Sequence, residues 1–435
     1  MSGRDRALWR AFSIGLFLLT ATGRAGSAQA VSTAASALTV DAAVREAIDH
    51  NLTLVAERYS VSVADARLVT ARLRPNPVLT FNVMLPDGTV YDDAVSPREQ
   101  VFRTDVLLER GGKREQRIEV ARDAKSIAEL QLLDTMRGIV LDVESAVVDV
   151  ALAKQNLSLA RESLDAFNAV VKVNTERVRT GDLAQMELAR SRLAALQFQN
   201  EVRQRDAGLQ VAVAKLKTLL GRTDANPIDV VADLRRDEEP IDVTAVRQKA
   251  LTSRPDLRAL RADQARSAAD ARLQIAQGKV DYTVSAEVHH QQQPTPVGAQ
   301  GFMYGAFVSV PLPIFNRNQG EIARAQLEER QAGARVGARE ADIAREVVAA
   351  YQTYAAARDV VATIESDMLQ QARDVREAMA YSYTRGEGSF IELLDATRAF
   401  NDTMQSYNEA RAELARSLYQ LDSIAGGAAG ATVTP

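Results

Sequence analysis

Apolar positions along the chain follow two periods, one for rods and one for ribbons. From Ile139 they recur in alternating steps of four and three: Val143, Ala146, Val150, Ala153, Leu157, Ala160, Leu164, Phe167 and Val171. A second track runs 204 residues later through Ile343, Val347, Ala350, Tyr354, Ala357, Val361, Ile364 and Met368, continuing to Val375. A sustained 4-3 step is the seam of a helix packed along its length. No proline interrupts about Glu115 to Val178 or about Gly320 to Tyr383, so each track predicts one long helix. At 1.5 Å per residue the first is ~95 Å long. Both stop at turns containing glycine, Arg179-Thr-Gly-Asp182 and Thr384-Arg-Gly-Glu-Gly-Ser389. Glycine supplies the positive φ that ends a helix, and Asp182 or Ser389 can cap the next. Return helices follow, roughly Leu183 to Leu220 and Phe390 to Ile424. Rods of this length cannot bury their seams in a compact domain and must pack side by side.

Period-two segments precede each long helix. After the breaker Arg74-Pro75-Asn76-Pro77, Leu79, Phe81, Val83 and Leu85 fall on one face, with Thr80, Asn82 and Met84 opposite. A polar loop leads to Val101–Glu109, where Phe102, Thr104, Val106 and Leu108 oppose Arg103 and Asp105. In the second half Tyr282, Val284, Ala286 and Val288 oppose Thr283, Ser285, Glu287 and His289. The last strand sets Phe302, Tyr304, Ala306, Val308 and Val310 against Gly305 and Ser309. Four strands are therefore expected, at about 78–85, 101–109, 281–290 and 302–310. Their lengths suit tilted strands crossing an outer membrane. The alternative is a pair of amphipathic hairpins packed on helices. Four strands in lipid would expose their edges, so two copies with eight strands or three with twelve are needed to close a barrel.

The halves also match elsewhere. Ala64-Asp-Ala-Arg-Leu68 recurs as Ala269-Asp-Ala-Arg-Leu273, Thr180-Gly181-Asp182 lies opposite Arg385-Gly386-Glu387, and Leu220-Gly221 opposite Ala425-Gly426, with offsets drifting between 203 and 205. Residues 31–227 form one repeat (helical hairpin about 115–220), 228–426 a second (hairpin about 320–424), and 427–435 a tail. Residues 1–30 read as a secretory signal: Arg4, Arg6 and Arg10, the apolar Ala11–Ala21, and Ala28-Gln29-Ala30 for cleavage.

Composition removes most chemistry. Among 435 residues, 46% are hydrophobic, 25% charged and 5% aromatic, which excludes a disordered or collagen-like chain. Cysteine is absent and there are three histidines, so thiol catalysis and thiolate metal sites are out. The net charge of −4, with both signs interspersed, gives no reason to expect nucleic acid. His289 and His290, as strand neighbours, point to opposite faces and do not share one ion. Gly111-Gly-Lys-Arg114 lacks the first glycine and the Ser/Thr of a phosphate loop. Glu392 and Asp395 read as a solvated helix face or tunnel-lining charges. No catalytic residue, cofactor or metal ligand is assigned; the chain is not read as an enzyme.

Arg74-Pro-Asn-Pro77, Glu109-Arg-Gly-Gly-Lys-Arg114 and above all Pro311-Leu-Pro-Ile-Phe-Asn-Arg-Asn-Gln-Gly-Glu-Ile322 resemble the TolC-type outer membrane factors of tripartite efflux systems, most closely the cobalt-zinc-cadmium resistance branch. The resemblance implies a mainly α fold with a β-barrel contribution: a homotrimer sharing a 12-stranded barrel in outer membrane lipid, continuous with an α-helical periplasmic tunnel. It implies a passive duct for heavy-metal cations, working with a periplasmic adaptor (membrane fusion) protein and an inner-membrane RND-type pump. The same architecture could carry organic compounds or a secreted polypeptide, and a reading from another class is a periplasmic coiled-coil scaffold. By position, the adaptor-binding gate tips are Arg177, Thr180, Gly181, Asp182 and Leu183, and Arg385, Gly386, Glu387, Gly388 and Ser389. The barrel–tunnel junctions are Pro75, Pro77, Gly111, Gly112, Pro311 and Pro313. Proline there lacks a backbone donor and can continue neither ladder nor helix, while Gly111-Gly112 gives the chain freedom to turn.

Overall fold

The computed structural model describes residues 38–84, 98–223, 226–231, 233–237, 241–292 and 300–427. The signal segment and cleavage motif, Leu85, the loop prolines Pro86 and Pro97, and most of the 427–435 tail lie outside the described residues. The first half contains α1 (Val40–His50), α2 (Leu52–Arg72), β1 (Val78–Met84), β2 (Arg98–Leu108), α3 (Lys113–Thr180) and α4 (Gln185–Leu219). The same order recurs as α5 (Val243–Ser253), α6 (Pro255–Gln277), β3 (Tyr282–Gln292), β4 (Gln300–Ser309), α7 (Gln319–Thr363), a π-helical turn (Ile364–Met368), α8 (Leu369–Arg385) and α9 (Phe390–Ile424).

The 4-3 seam makes two equivalent cores. Ile139, Val143, Ala146 and Val150 of α3 pack with Ala43, Ala47 and Leu54 of α1 and α2, and with Leu216 of α4. Ile343, Val347, Ala350 and Tyr354 of α7 pack with Ala250 and Leu257 of α5 and α6, and with Leu421 of α9. Gly221 (φ +70°) and Gly426 (φ +80°) end the return helices in the left-handed region, pressed onto His50 and onto Ser253–Arg254. A Cβ at Gly221 would stand 2.4 Å from the His50 carbonyl oxygen. The close approach therefore requires glycine.

The second long helix is not continuous. Its seam was expected to run on to Met368 and Val375, yet both side chains are exposed, Val375 at 51%. The π-turn at Ile364–Met368 holds one residue more than a regular turn. Beyond it, the inward face passes to Leu369, Ala372 and Arg376, one position later. The inserted residue also explains why the repeat offset changes along the long helix, from 204 ahead of the turn (Ile343 against Ile139) to 205 beyond it (Gly386 against Gly181).

The strands form one antiparallel meander, β1-β2-β3-β4, in which β2 joins the halves by pairing with β3. Register pairs Phe81 with Phe102, Phe102 with Val288 and Val288 with Tyr304, so the expected apolar residues share one face. Arg103 pairs with Glu287 and Asp105 with Ser285 on the other face. β2 starts at Arg98 rather than near 101, and β4 at Gln300 rather than near 302. Main-chain ladders tolerate polar side chains, so pairing runs into the loops beyond the apolar pattern. Among the described residues no helix packs on the sheet. The alternative of amphipathic hairpins packed on helices is therefore not what forms: Leu79, Phe302, Tyr304 and Val308 stay exposed. Neither outer edge, β1 or β4, has a partner strand among the described residues. No described helix is long and apolar enough to cross a membrane.

Candidate functional site

At the far end of the rods, α3 and α8 stop in the same way. Gly181 (φ +86°) and Gly386 (φ +81°) adopt left-handed geometry. The Asp182 N–H donates to the Arg177 carbonyl (2.8 Å) and the Glu387 N–H to that of Ser382 (3.0 Å), closing each C-terminus with a six-to-one bond. The starts of the return helices differ. Ser389 accepts from the Glu392 N–H (3.2 Å) while the Glu392 carboxylate accepts from the Ser389 N–H (2.8 Å), a complete capping box. That backbone hydrogen bond holds the Glu392 carboxyl below its ordinary range. Glu392 thus caps its helix rather than pairing with Asp395. Asp182 does not cap α4, whose first helical residue follows Ala184 without a side-chain cap. Its carboxylate instead accepts from the Thr180 hydroxyl (2.7 Å), which folds the short turn on itself. Leu183 is half-buried and Gly388 sits tight against Ser382.

The two tips are tied together. Arg177 donates to the carbonyl of Thr384 at 2.7 Å and lies 5.7 Å from the Tyr383 ring centroid. It thereby satisfies a terminal carbonyl of α8, at the negative end of that helix. One turn back, the Tyr383 hydroxyl donates to Oδ1 of Asn174 (2.7 Å), and Asn174 is 0% exposed. Burial pushes the Tyr383 hydroxyl up, against the opposing effect of its bond to Asn174. Beneath lies an apolar cluster of Phe167, Ala194, Phe198, Tyr383, Phe390 and Leu393, in which Phe167 and Phe198 stand 4.6 Å apart. Among the described residues, Arg177 is the one expected tip residue whose side chain bonds the other hairpin's backbone. Arg385 lies over its own helix's Tyr381 at 4.5 Å. Sequence reasoning did not single out Asn174 or Tyr383. The visible signal was a polar residue on the 4-3 track, three positions after Val171.

At the opposite end, each strand meets a helix through the expected breakers. Pro75 and Pro77 separate α2 from β1, Gly111 (φ +78°) and Gly112 (φ +73°) turn β2 into α3, and Pro311 and Pro313 lie in the segment between β4 and α7. Lys113 fastens this end, donating to Asp281 and to the Lys279 carbonyl at 2.7 Å each. On the polar sheet face Arg103 donates to Asp105 (2.8 Å) and Ser285 (3.1 Å), and His289 stands 3.4 Å from Glu99. His290 lies on the other face against Phe302, with ring centroids 4.8 Å apart.

Comparison with known proteins agrees with this layout. The chain is 25% identical over 394 residues to the cobalt-zinc-cadmium resistance protein CzcC of Cupriavidus metallidurans, covering 90% of this chain and 91% of that one. Its fold matches the solved structure of CusC (TM-score 0.74, 18% identity, 89% of this chain and 92% of that chain). It also matches the outer membrane protein VceC of Vibrio cholerae (TM-score 0.70, 16% identity, 89% and 96%). The outer membrane efflux protein family matches twice, at residues 43–222 and 246–427, in step with the recurring order of elements. The chain belongs to the outer membrane efflux protein family.

Proposed function

We propose that this protein is the outer membrane exit duct of a tripartite efflux system. Three copies would share a 12-stranded barrel continuous with a helical periplasmic tunnel. A periplasmic adaptor would dock at the tips, and an inner-membrane RND-type pump would supply the energy. The observation that carries this reading is an open-edged sheet, apolar on one face and uncovered by helices, mounted on rods that reach far beyond it. Unpaired strand edges and apolar faces are stable in lipid only when neighbours close the ladder. The repeats at 31–227 and 228–426 each supply two strands and a hairpin, and 1–30 directs export.

Cobalt, zinc and cadmium cations are the proposed cargo. The likeness to CzcC supports that choice, as does the excess of Glu99, Asp105 and Glu287 over Arg103 on the polar sheet face, which becomes the lumen once the barrel closes. Gene deletion tests it: tolerance to these metals should fall while tolerance to a panel of organic dyes holds. Loss of dye tolerance alone would assign organic cargo. A protein that extracts without detergent and gives no conductance in lipid bilayers would be a periplasmic scaffold instead.

A further inference from the structure

The strand–helix junctions carry a pattern that duct function does not require. Every junction presents a cation with no ion pair among the described residues: Arg74 before β1, Arg110 and Arg114 after β2, Lys279 before β3 and Arg317 after β4. Among the described residues the Arg114 and Arg317 side chains donate only to main-chain carbonyls, and Arg110 lies over the Tyr282 ring at 4.6 Å. Across segments 72–77, 108–117, 278–282 and 310–318 there are eight Lys or Arg and three Asp or Glu, in a chain whose overall charge is −4. In the segment that carries Arg317, just past the end of β4, Leu312, Ile314 and Phe315 are exposed, the last 90%. A cavity of about 450 Å³ elsewhere is apolar, whereas the one at this junction, about 430 Å³, is lined by Lys279 and Arg317, by Lys113 with its partner Asp281, and by Pro311 and Pro313. The long helices α3 and α7 both begin here without a side-chain cap, turning their positive ends the same way.

We propose that this collar binds the phosphate headgroups of anionic phospholipids in the periplasmic leaflet, with Leu312, Ile314 and Phe315 seated among the acyl chains. The inference rests on the outer membrane placement proposed above. Cations beside an apolar band match a lipid surface, with phosphate outside and hydrocarbon within.

The test is native mass spectrometry of the purified oligomer, titrated with phosphatidylglycerol or phosphatidylcholine, with inorganic phosphate as a separate arm. Phosphatidylglycerol should be retained in preference. At about fivefold per surface cation, Lys279→Glu with Arg317→Glu should weaken that retention roughly twentyfold or more, with the oligomer's mass unchanged. Phe315→Ser should weaken retention of both lipids. Equal retention of the two lipids, or phosphatidylglycerol displaced by millimolar inorganic phosphate alone, would overturn the inference and leave the duct standing. Dissociation of the oligomer by either variant would also overturn it, because the collar would then be a contact between copies. A wild-type protein that is monomeric in detergent would instead remove the placement on which the inference rests.

Discussion

Replacing Tyr383 with phenylalanine isolates the bond that ties the hairpins at the tips. The ring, its packing against Phe390 and its contact with Arg177 are kept; only the hydroxyl donor to Asn174 is lost. Asn174 is 0% exposed, and its Nδ2 has no partner among the described residues. Tyr383→Phe would therefore leave its Oδ1 unpaired as well. An orphaned buried polar group costs about 1–3 kcal/mol. If the joined hairpins hold the duct closed, a loss of about 2 kcal/mol per protomer raises the separated population about thirtyfold. Single-channel recording in planar bilayers should show a higher open probability for Tyr383→Phe. Asn174→Leu combined with Tyr383→Phe should recover stability, because both polar partners are then gone. Wild-type conductance together with wild-type thermal stability in Tyr383→Phe would refute the latch.

Four further outcomes follow from the structure. Arg254 is 2% exposed and bonds Asp256 and Glu346, so Arg254→Ala should cost about 3–5 kcal/mol, read by denaturant unfolding in detergent. Burial alone would raise the Asp256 carboxyl, but bonds from Arg254 and Arg339 outweigh it and hold it at about 2. Its contribution is present above pH ~4 and should disappear as the pH falls towards 2. Glu144, 3% exposed, is pushed up to about 8 by burial first and by Asp422 second. The folded chain holds that proton when the unfolded chain has released it, so stability should decline as pH rises from ~4.5 to 8. Glu144→Gln should flatten the decline, and an unchanged pH profile would contradict the assignment. Deleting Ser366 removes the extra residue of the π-turn, so that a regular α-helix carries Leu369 and Tyr383 on the inward face four and eighteen positions after Ile364. The melting temperature should then hold or rise, and a clear fall would show that the turn does more than absorb one inserted residue.

Much of this architecture is legible from short-range rules. Strand faces follow from period two, and the observed register kept Phe81, Phe102, Val288 and Tyr304 together. The seam followed from the 4-3 step until Ile364, where the π-turn shifted it. Both offsets, 204 and 205, stood in the sequence, but a one-residue insertion without proline or glycine leaves no local mark. The tip turns were legible through Gly181 and Gly386, because positive φ selects glycine. The side-chain bonds there were not. Asp182 could equally cap α4 or accept from Thr180, and local spacing does not choose between them. Arg177 and Tyr383 act between hairpins more than 200 residues apart in the chain, beyond the reach of any local pattern.

The central claim is that a four-stranded ribbon with free edges becomes a pore only when shared. The mass of the purified particle, with bound detergent subtracted, tests it most directly. Three chains per particle, with the sheet retained, is the predicted result; a stable monomer that keeps its strands in micelles would contradict it.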